Sequence, residues 1–504
     1  MSGSKQKLKR QEERNQGIDK RQLRDKQREE LVRKQKKYGI IAGVVTALIL
    51  ALITFFNSNL LYRNFTAVKA GEVEYSIADF NYYYNNLYYS YYNSYFSNYG
   101  EYANYMMPDK ETIEGDTIKM MEETALLYTQ AKETGYELSE AGKKQIESNM
   151  DSLKDTAEAA GFKSVKQYLK SYFKGGVNED IYRQNLEEYT LAMEYGETVL
   201  DSNTFSDKEL EDYYADNKDK YDVINYRYFF VNGAAVADNE ETEENEEVDG
   251  ETAMAEAKTK ADEFLSKITD EESFNKLAYE YADEATKESY SDADATLVSS
   301  QGANIDTAYS KWLLENGRNS GDKTVVEVAN GYYVLYFISR DNNDYETVNV
   351  RHILIKPEEV VKADYEDEEA YKAAQEEALE KAKAEAEELY SQWKNGDATE
   401  ASFGKLADEH SDDAPAGGLY ENVAKGQMVE AFNNWIYDAS RKPGDTGIVE
   451  TNFGYHIMYF VGNGMKYSNY LADTDKKTEA YNKWVEENVG AFKAEEKWPL
   501  KFAH

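Results

Sequence analysis

Hydrophobic positions along this chain keep three different rhythms. From Tyr38 to Phe56 there are 19 consecutive residues without a charge, a run that as a helix nearly matches the roughly 30 Å core of a bilayer. From 58 to 220 the apolar residues recur at three- and four-residue steps, which predicts helices over Thr117–Thr134, Ser139–Ala160, Ser164–Phe173 and Asn178–Leu200. Ser206 followed by Glu209 reads as a capping box for a helix ending near Tyr221. Further on the rhythm shortens to two. Val348 to Lys356 alternates and is β-branched, so it reads as a strand with one buried face. Glu366 to Trp393, rich in Ala, Glu, Lys and Leu, reads as a long helix. Short helical stretches follow, then a second strand, Ile448 to Phe460, interrupted at Gly454. Strand, helix, short helices, strand is the order of a small α+β domain. After Gly464 one more helix is expected, Thr474 to Lys497, with Tyr481, Trp484, Val485, Val489 and Phe492 at helical spacing.

Residues 221–345 repeat this block. Asn225–Val231 parallels Asn349–Ile355, and Ser273–Ala278 parallels Ser402–Ala407. Ile305, Tyr309 and Trp312 fall at Met428, Phe432 and Trp435, while Tyr228 and Tyr333 replace His352 and His456. The copy therefore keeps a packing pattern and loses the histidines, which suits scaffolding or polypeptide binding. Its first crossover carries Asp238 to Glu251, an acidic run expected to be an exposed, disordered insertion. Between Tyr82 and Tyr105 lie eleven tyrosines. Tyr84, Tyr88, Tyr91, Tyr95, Tyr99 and Tyr102 would form one helical stripe, either buried or offered to a peptide.

Charge sharpens the reading of the apolar run. Residues 1–37 hold 14 Lys or Arg against 6 Asp or Glu, so the rest of the chain carries −46 of a net −38. By the positive-inside rule the basic segment stays in the cytoplasm and the acidic bulk lies outside. A cleaved signal peptide is the rival reading. The run exceeds the usual apolar length of such peptides, its leader is long, and no small-x-small site follows, which favours an uncleaved single-pass anchor in the cell membrane. So acidic an exterior excludes nucleic acid as a partner. With no cysteine in the chain, disulfides and a thiol-linked lipid anchor are both excluded. No loop has the ligand spacing of a metal site, and no cofactor is expected.

One ordered set of motifs carries chemistry: Arg-His-Ile-Leu-Ile from Arg351, Ser-Asp-Asp from Ser411, Gly-Gly-Leu ending at Leu419, Gly-Gln-Met with Phe432 four residues after Met428, and Phe-Gly-Tyr-His-Ile from Phe453. In this order and spacing the set resembles the parvulin-type peptidyl-prolyl cis/trans isomerases over about 110 residues. The resemblance implies a central pair, His352 and His456, with Asp413 beside the substrate carbonyl and Thr451 hydrogen-bonded into the histidine network. It implies that Leu419, Met428, Phe432 and Phe453 line a proline pocket. Two departures stand out. Many members place an acidic residue between the glycine pair and the leucine, whereas Leu419 follows Gly418 directly, and Lys356 stands without the basic cluster of phosphate-directed relatives. Helices ahead of such a domain resemble, in architecture, the PrsA- and SurA-type foldases, in whose relatives a C-terminal helix returns to the N-terminal helices.

The chemistry needs no covalent step. Rotating an X-Pro bond breaks amide resonance, at a barrier of roughly 18–20 kcal/mol. The twisted amide is less charge-separated than the planar one, so a pocket that strips water from it favours the transition state. Met428 and Phe432, four apart, share a helical face. Bland alternatives compete: a helix face packed on a sheet for Met428 and Phe432, and a turn or cap for Asp413. Two of only four histidines fall on the motif positions, which argues for a site. The expected organisation is a cytoplasmic segment (1–37), a transmembrane helix (38–57), a helical chaperone-like domain (58–220), a degenerate copy (221–345), an isomerase domain (346–463) and a C-terminal helix (464–504). Its partners would be unfolded exported polypeptides with X-Pro bonds. A non-catalytic holdase and a wall-assembly scaffold are the other readings. Neither the oligomeric state nor the client is legible.

Overall fold

The computed structural model describes residues 3–15, 20–57, 59–234, 250–365, 367–413 and 416–503. The acidic run lies almost wholly outside these residues, as do Ala414 and Pro415 of the motif set. The fold is mixed α and β, and the chain divides into two compact units, residues 1–202 with 481–504 and residues 203–480.

In the first unit a helix spans Lys20–Asn57 and contains, among the described residues, the one stretch long and apolar enough to cross a membrane. A small antiparallel sheet follows, in which Thr66–Ala70 is flanked by Val73–Ser76 and by Ala494–Glu496. Ser76 and Asp79 cap the tyrosine helix Ile77–Tyr99 reciprocally, and Asn185 of the helix Glu179–Asp201 donates to Asp79 at 2.7 Å. The expected tyrosine stripe is corrected here. Tyr82 and Tyr83, off the stripe, are buried beside Tyr84, while Tyr99 and Tyr102, on it, are exposed. The amino-terminal half of this helix is packed on several sides, so burial follows position along its axis and no single face is the inside. Helix Lys110–Thr134 starts two turns before the sequence pattern suggests, because Asp109 caps it and Gly115 is carried through.

The C-terminal helix also differs from expectation. It spans Tyr467–Asn488, and beyond Gly490 the chain is extended at Ala494–Glu496. That short strand finds hydrogen-bond partners in Thr66–Ala70, a local gain that helix propensity does not report. Glu122 anchors it, accepting from Ala494 N and Lys493 Nζ, each at 2.8 Å.

The second unit begins with the capped helix Asp207–Asp216, where Ser206 and Glu209 form the expected capping box. It then contains two four-stranded antiparallel sheets of identical strand order. In the first, Leu297–Gln301, Val223–Asn232, Gly331–Asp341 and Lys323–Val328 lie side by side; in the second, Leu419–Val423, Glu346–Ile355, Gly454–Lys466 and Thr446–Thr451. Each central pair has helices on one face, Gly250–Lys267 with Glu271–Tyr281 in the first block and Glu368–Asn395 with Glu400–His410 in the second. A smaller apolar cluster fills the other face.

Candidate active site

Strand pairing sets the geometry first. Leu354 pairs with His456 and His352 with Met458, so the two histidines sit two positions apart on adjacent strands and point to the same face. Both are buried, and their Nδ1 atoms are 3.0 Å apart.

The Ser-Asp-Asp loop is tied to the edge of the histidine strand. Leu354 N donates to Ser411 Oγ at 3.1 Å, Asp412 N to Leu354 O at 2.8 Å, and Lys356 N to Asp412 Oδ2 at 2.8 Å. This anchoring carries Asp413 over the pair, with Oδ2 3.1 Å from His352 Nε2. At the other end Thr451 Oγ1 lies 2.9 Å from His456 Nε2 and accepts from Phe453 N at 3.1 Å.

One proton arrangement satisfies the contacts among these four side chains, with the Thr451 hydroxyl taken by His456 at 2.9 Å in preference to the Gly454 carbonyl at 3.5 Å. A carboxylate only accepts, so His352 donates from Nε2, and burial keeps that imidazole neutral against the pull of Asp413. Its Nδ1 is then the acceptor for His456 Nδ1–H. His456, whose pKa is lowered to about 4 first by burial and then by His352, accepts at Nε2 from the Thr451 hydroxyl. The result is a one-way chain, Thr451 to His456 to His352 to Asp413, with a single carboxylate as terminal acceptor.

Phe432 closes this face. Buried on helix Glu430–Ile436, it sets its ring at 88° to His352 and 87° to His456, with centroids at 5.2 and 5.4 Å. Met428, half-buried, packs in the same apolar cluster. Leu419 is half-buried on the edge strand paired with Arg351. Phe453 stands at the hairpin tip, 51% exposed and outside that cluster. The fold thus joins His352, His456, Asp413, Thr451 and Phe432 directly and Met428 through packing, while Phe453 meets the network only through its backbone N–H on Thr451 and Leu419 is paired with Arg351.

Sequence reasoning missed Tyr420. Its ring lies 5.2 Å from that of His352 and its hydroxyl donates to Asp413 Oδ2 at 3.0 Å. Burial and that carboxylate push the phenol up to about 12. Its signal was the alternation along Leu419–Val423, which places consecutive residues on opposite faces. The glycine pair has a steric reason. Gly418 has φ +61°, and a Cβ there would come within 2.1 Å of the His352 carbonyl oxygen.

Residues 239–338 and 333–462 each match the PPIC-type PPIASE domain. Foldase protein PrsA 1 of Listeria innocua is 35% identical over 81 residues, 16% of this chain and 26% of that protein, and PrsA 1 of Listeria monocytogenes matches with the same figures. The chain thus spans about a quarter of the length of these curated relatives. Among solved structures, PrsA of Bacillus anthracis aligns at 17% identity over 52% of this chain and 95% of that one, with a TM-score of 0.22. PrsA of Bacillus subtilis aligns at 14% over 55% and 84%, with a TM-score of 0.16. The chain is thus similar to the PPIC-type PPIASE domain over two stretches in tandem, and the second stretch encloses the histidine chain.

Proposed function

We propose that this chain is a membrane-anchored, extracytoplasmic peptidyl-prolyl cis/trans isomerase and chaperone, with residues 346–463 as its catalytic domain. The observation that carries this reading is the chain from Thr451 to Asp413 lying edge-on to Phe432. Phe432 and Met428 would hold the proline ring, with Phe453 at the mouth of the pocket and Tyr420, rather than its neighbour Leu419 on the opposite strand face, along its wall. The two neutral histidines would act by position: they exchange no proton with the substrate, and they fix the ring wall and the carboxylate. Asp413, a third exposed, would stand near the amide oxygen. A carboxylate there raises the energy of the planar amide, whose oxygen bears more negative charge, relative to the twisted one.

The helical region 58–220 and the copy 221–345 would bind unfolded segments of exported polypeptides. The basic stretch 1–37 would lie in the cytoplasm and the helix 38–57 in the membrane, with 464–504 returning to the helical region. The test is cis/trans exchange of an X-Pro peptide, measured by NMR line shape without a coupled protease, beside the refolding of a denatured exported protein. His352→Ala and Phe432→Ala should lose catalysis of the exchange. Undiminished exchange in both variants would sink the catalytic assignment; lost exchange with full refolding would mark a holdase.

A further inference from the structure

We infer that the face of the first unit next to the apolar helix is a docking surface for an anionic bilayer, with a basic cleft that takes phospholipid phosphate. The inference rests on the anchoring reading above and goes beyond it, since an anchor alone asks nothing of the domain it holds.

Three observations converge. A cleft of about 1080 Å³ is lined by Arg63, Lys166, Lys170 and Lys174, against Glu179 and Asp180 as its acidic members. The three lysines are exposed at four-residue steps, and among the described residues none has a carboxylate within ion-pair distance. A net positive cleft is out of character in a chain whose formal charge is −38. Its floor is built: Arg63 Nε donates to the Gly176 carbonyl at 2.5 Å, and Tyr62 packs on Gly175 and Gly176 so closely that a Cβ on either glycine would come within 2.6 Å of its ring or Cβ.

Chain length fixes the cleft's place. The apolar helix ends at Asn57, so Arg63 lies about 20 Å or less along the chain from the bilayer. Exposed aromatic and aliphatic groups occupy the same neighbourhood. Phe55 near the end of the helix meets Phe65 edge-on at 5.8 Å, and Phe65 meets Trp498 at 6.0 Å. Leu60, Phe65 and Trp498 are 56%, 37% and 55% exposed. Lysines beside exposed aromatic rings are what the headgroup layer of an anionic membrane accommodates.

The absence of native cysteine allows a single probe. A donor fluorophore on Ser171→Cys, an exposed position, is read in the full chain reconstituted into bilayers bearing a headgroup acceptor, of phosphatidylcholine alone or mixed equally with phosphatidylglycerol. Transfer should rise in the anionic bilayer and fall to the neutral level in Lys166→Gln/Lys170→Gln/Lys174→Gln. At roughly fivefold per lysine, the docked population should drop about a hundredfold. The matching triple change to Arg should restore transfer, which separates charge from fold. Equal transfer in both bilayers, or no change in the Gln triple, overturns the proposal. So does binding of inorganic phosphate at the three lysines with transfer equal in both bilayers, which would make the cleft a site for free phosphate. Alkaline carbonate extraction reports the anchor separately: protein that leaves the bilayer breaks the anchoring reading, while protein that stays and transfers equally in both lipids breaks only the docking.

Discussion

The two parvulin-like blocks are built alike down to single hydrogen bonds, and they diverge at one face. Arg227 and Arg351 occupy the same place on the central strand, reaching Glu271 at 3.5 Å and Glu400 at 3.0 Å. Arg318 stacks on Trp312 at 3.7 Å and donates to its carbonyl; Arg441 does the same on Trp435 at 3.8 Å. Gly321 and Gly444 donate to Phe337 and Phe460, and those residues donate back to Asp322 and Asp445. Even the register agrees, Phe230 opposite Tyr333 as Leu354 is opposite His456. Where the second block has imidazoles, the first has a nest of rings: Tyr333 lies 4.8 Å from Phe230, 5.0 Å from Tyr309 and 6.1 Å from Tyr228. The scaffold tolerates both contents. What the site demands is therefore the polar chain and its terminal carboxylate, over and above the fold.

The sharpest test removes the shared aromatic. Phe432→Ala should cost about 3–5 kcal/mol of stability in the second block and lower X-Pro exchange by more than a hundredfold. Tyr309→Ala should destabilise the first block comparably and leave exchange unchanged, both read by thermal melting beside NMR exchange. Loss of exchange in Tyr309→Ala would erase the distinction between the blocks.

Acid should separate them next. His456 has its pKa lowered to about 4 against an ordinary 6.5, and His352 is lowered too. The unfolded chain takes up these protons first, so their contribution is complete above pH 6.5 and is lost as the pH falls toward 4. For His456 this amounts to up to about 3 kcal/mol. His456→Phe should flatten that slope in melting curves of the second block, and the first block, with tyrosines at both positions, lacks it.

Transplanting the histidines should fail. Tyr228→His/Tyr333→His leaves Val328 where the second block has Thr451, by the shared pairing with Gly331 and Gly454. The chain then has no hydroxyl to start it, and exchange should stay within a few-fold of the parent. Smallest of all, Thr451→Val should cost about 1 kcal/mol and lower kcat roughly tenfold with KM unchanged. A change in KM alone would move Thr451 from the histidine network to substrate contact.

Much of this was legible because the repeat and the motif order are properties of the sequence itself. Alternation in Val348–Lys356 and the break at Gly454 define the central pair, and a pair of strands in register is enough to bring His352 to His456. Tyr420 was legible only in part: alternation along Leu419–Val423 gives its face, but its partner Asp413 arrives on a loop that folds back. Phe453 takes its place in the pocket from its motif alone, since a two-residue hairpin leaves it half exposed at the tip. The tyrosine helix misled for a related reason: periodicity detects one buried face, and this helix passes from fully packed to exposed along its length. The return of the chain as a strand at Ala494–Glu496 was hidden because three residues are too few to show an alternation.

That returning strand has a consequence for biogenesis. Thr66–Ala70 is made together with one strand partner, Val73–Ser76, yet its other partner is made more than four hundred residues later. Until then the sheet has a bare rim of unpaired amides, the kind of edge that recruits stray strands. The amino-terminal unit is therefore first in synthesis and last to be sealed, and deleting residues 494–496 should leave it open to self-association.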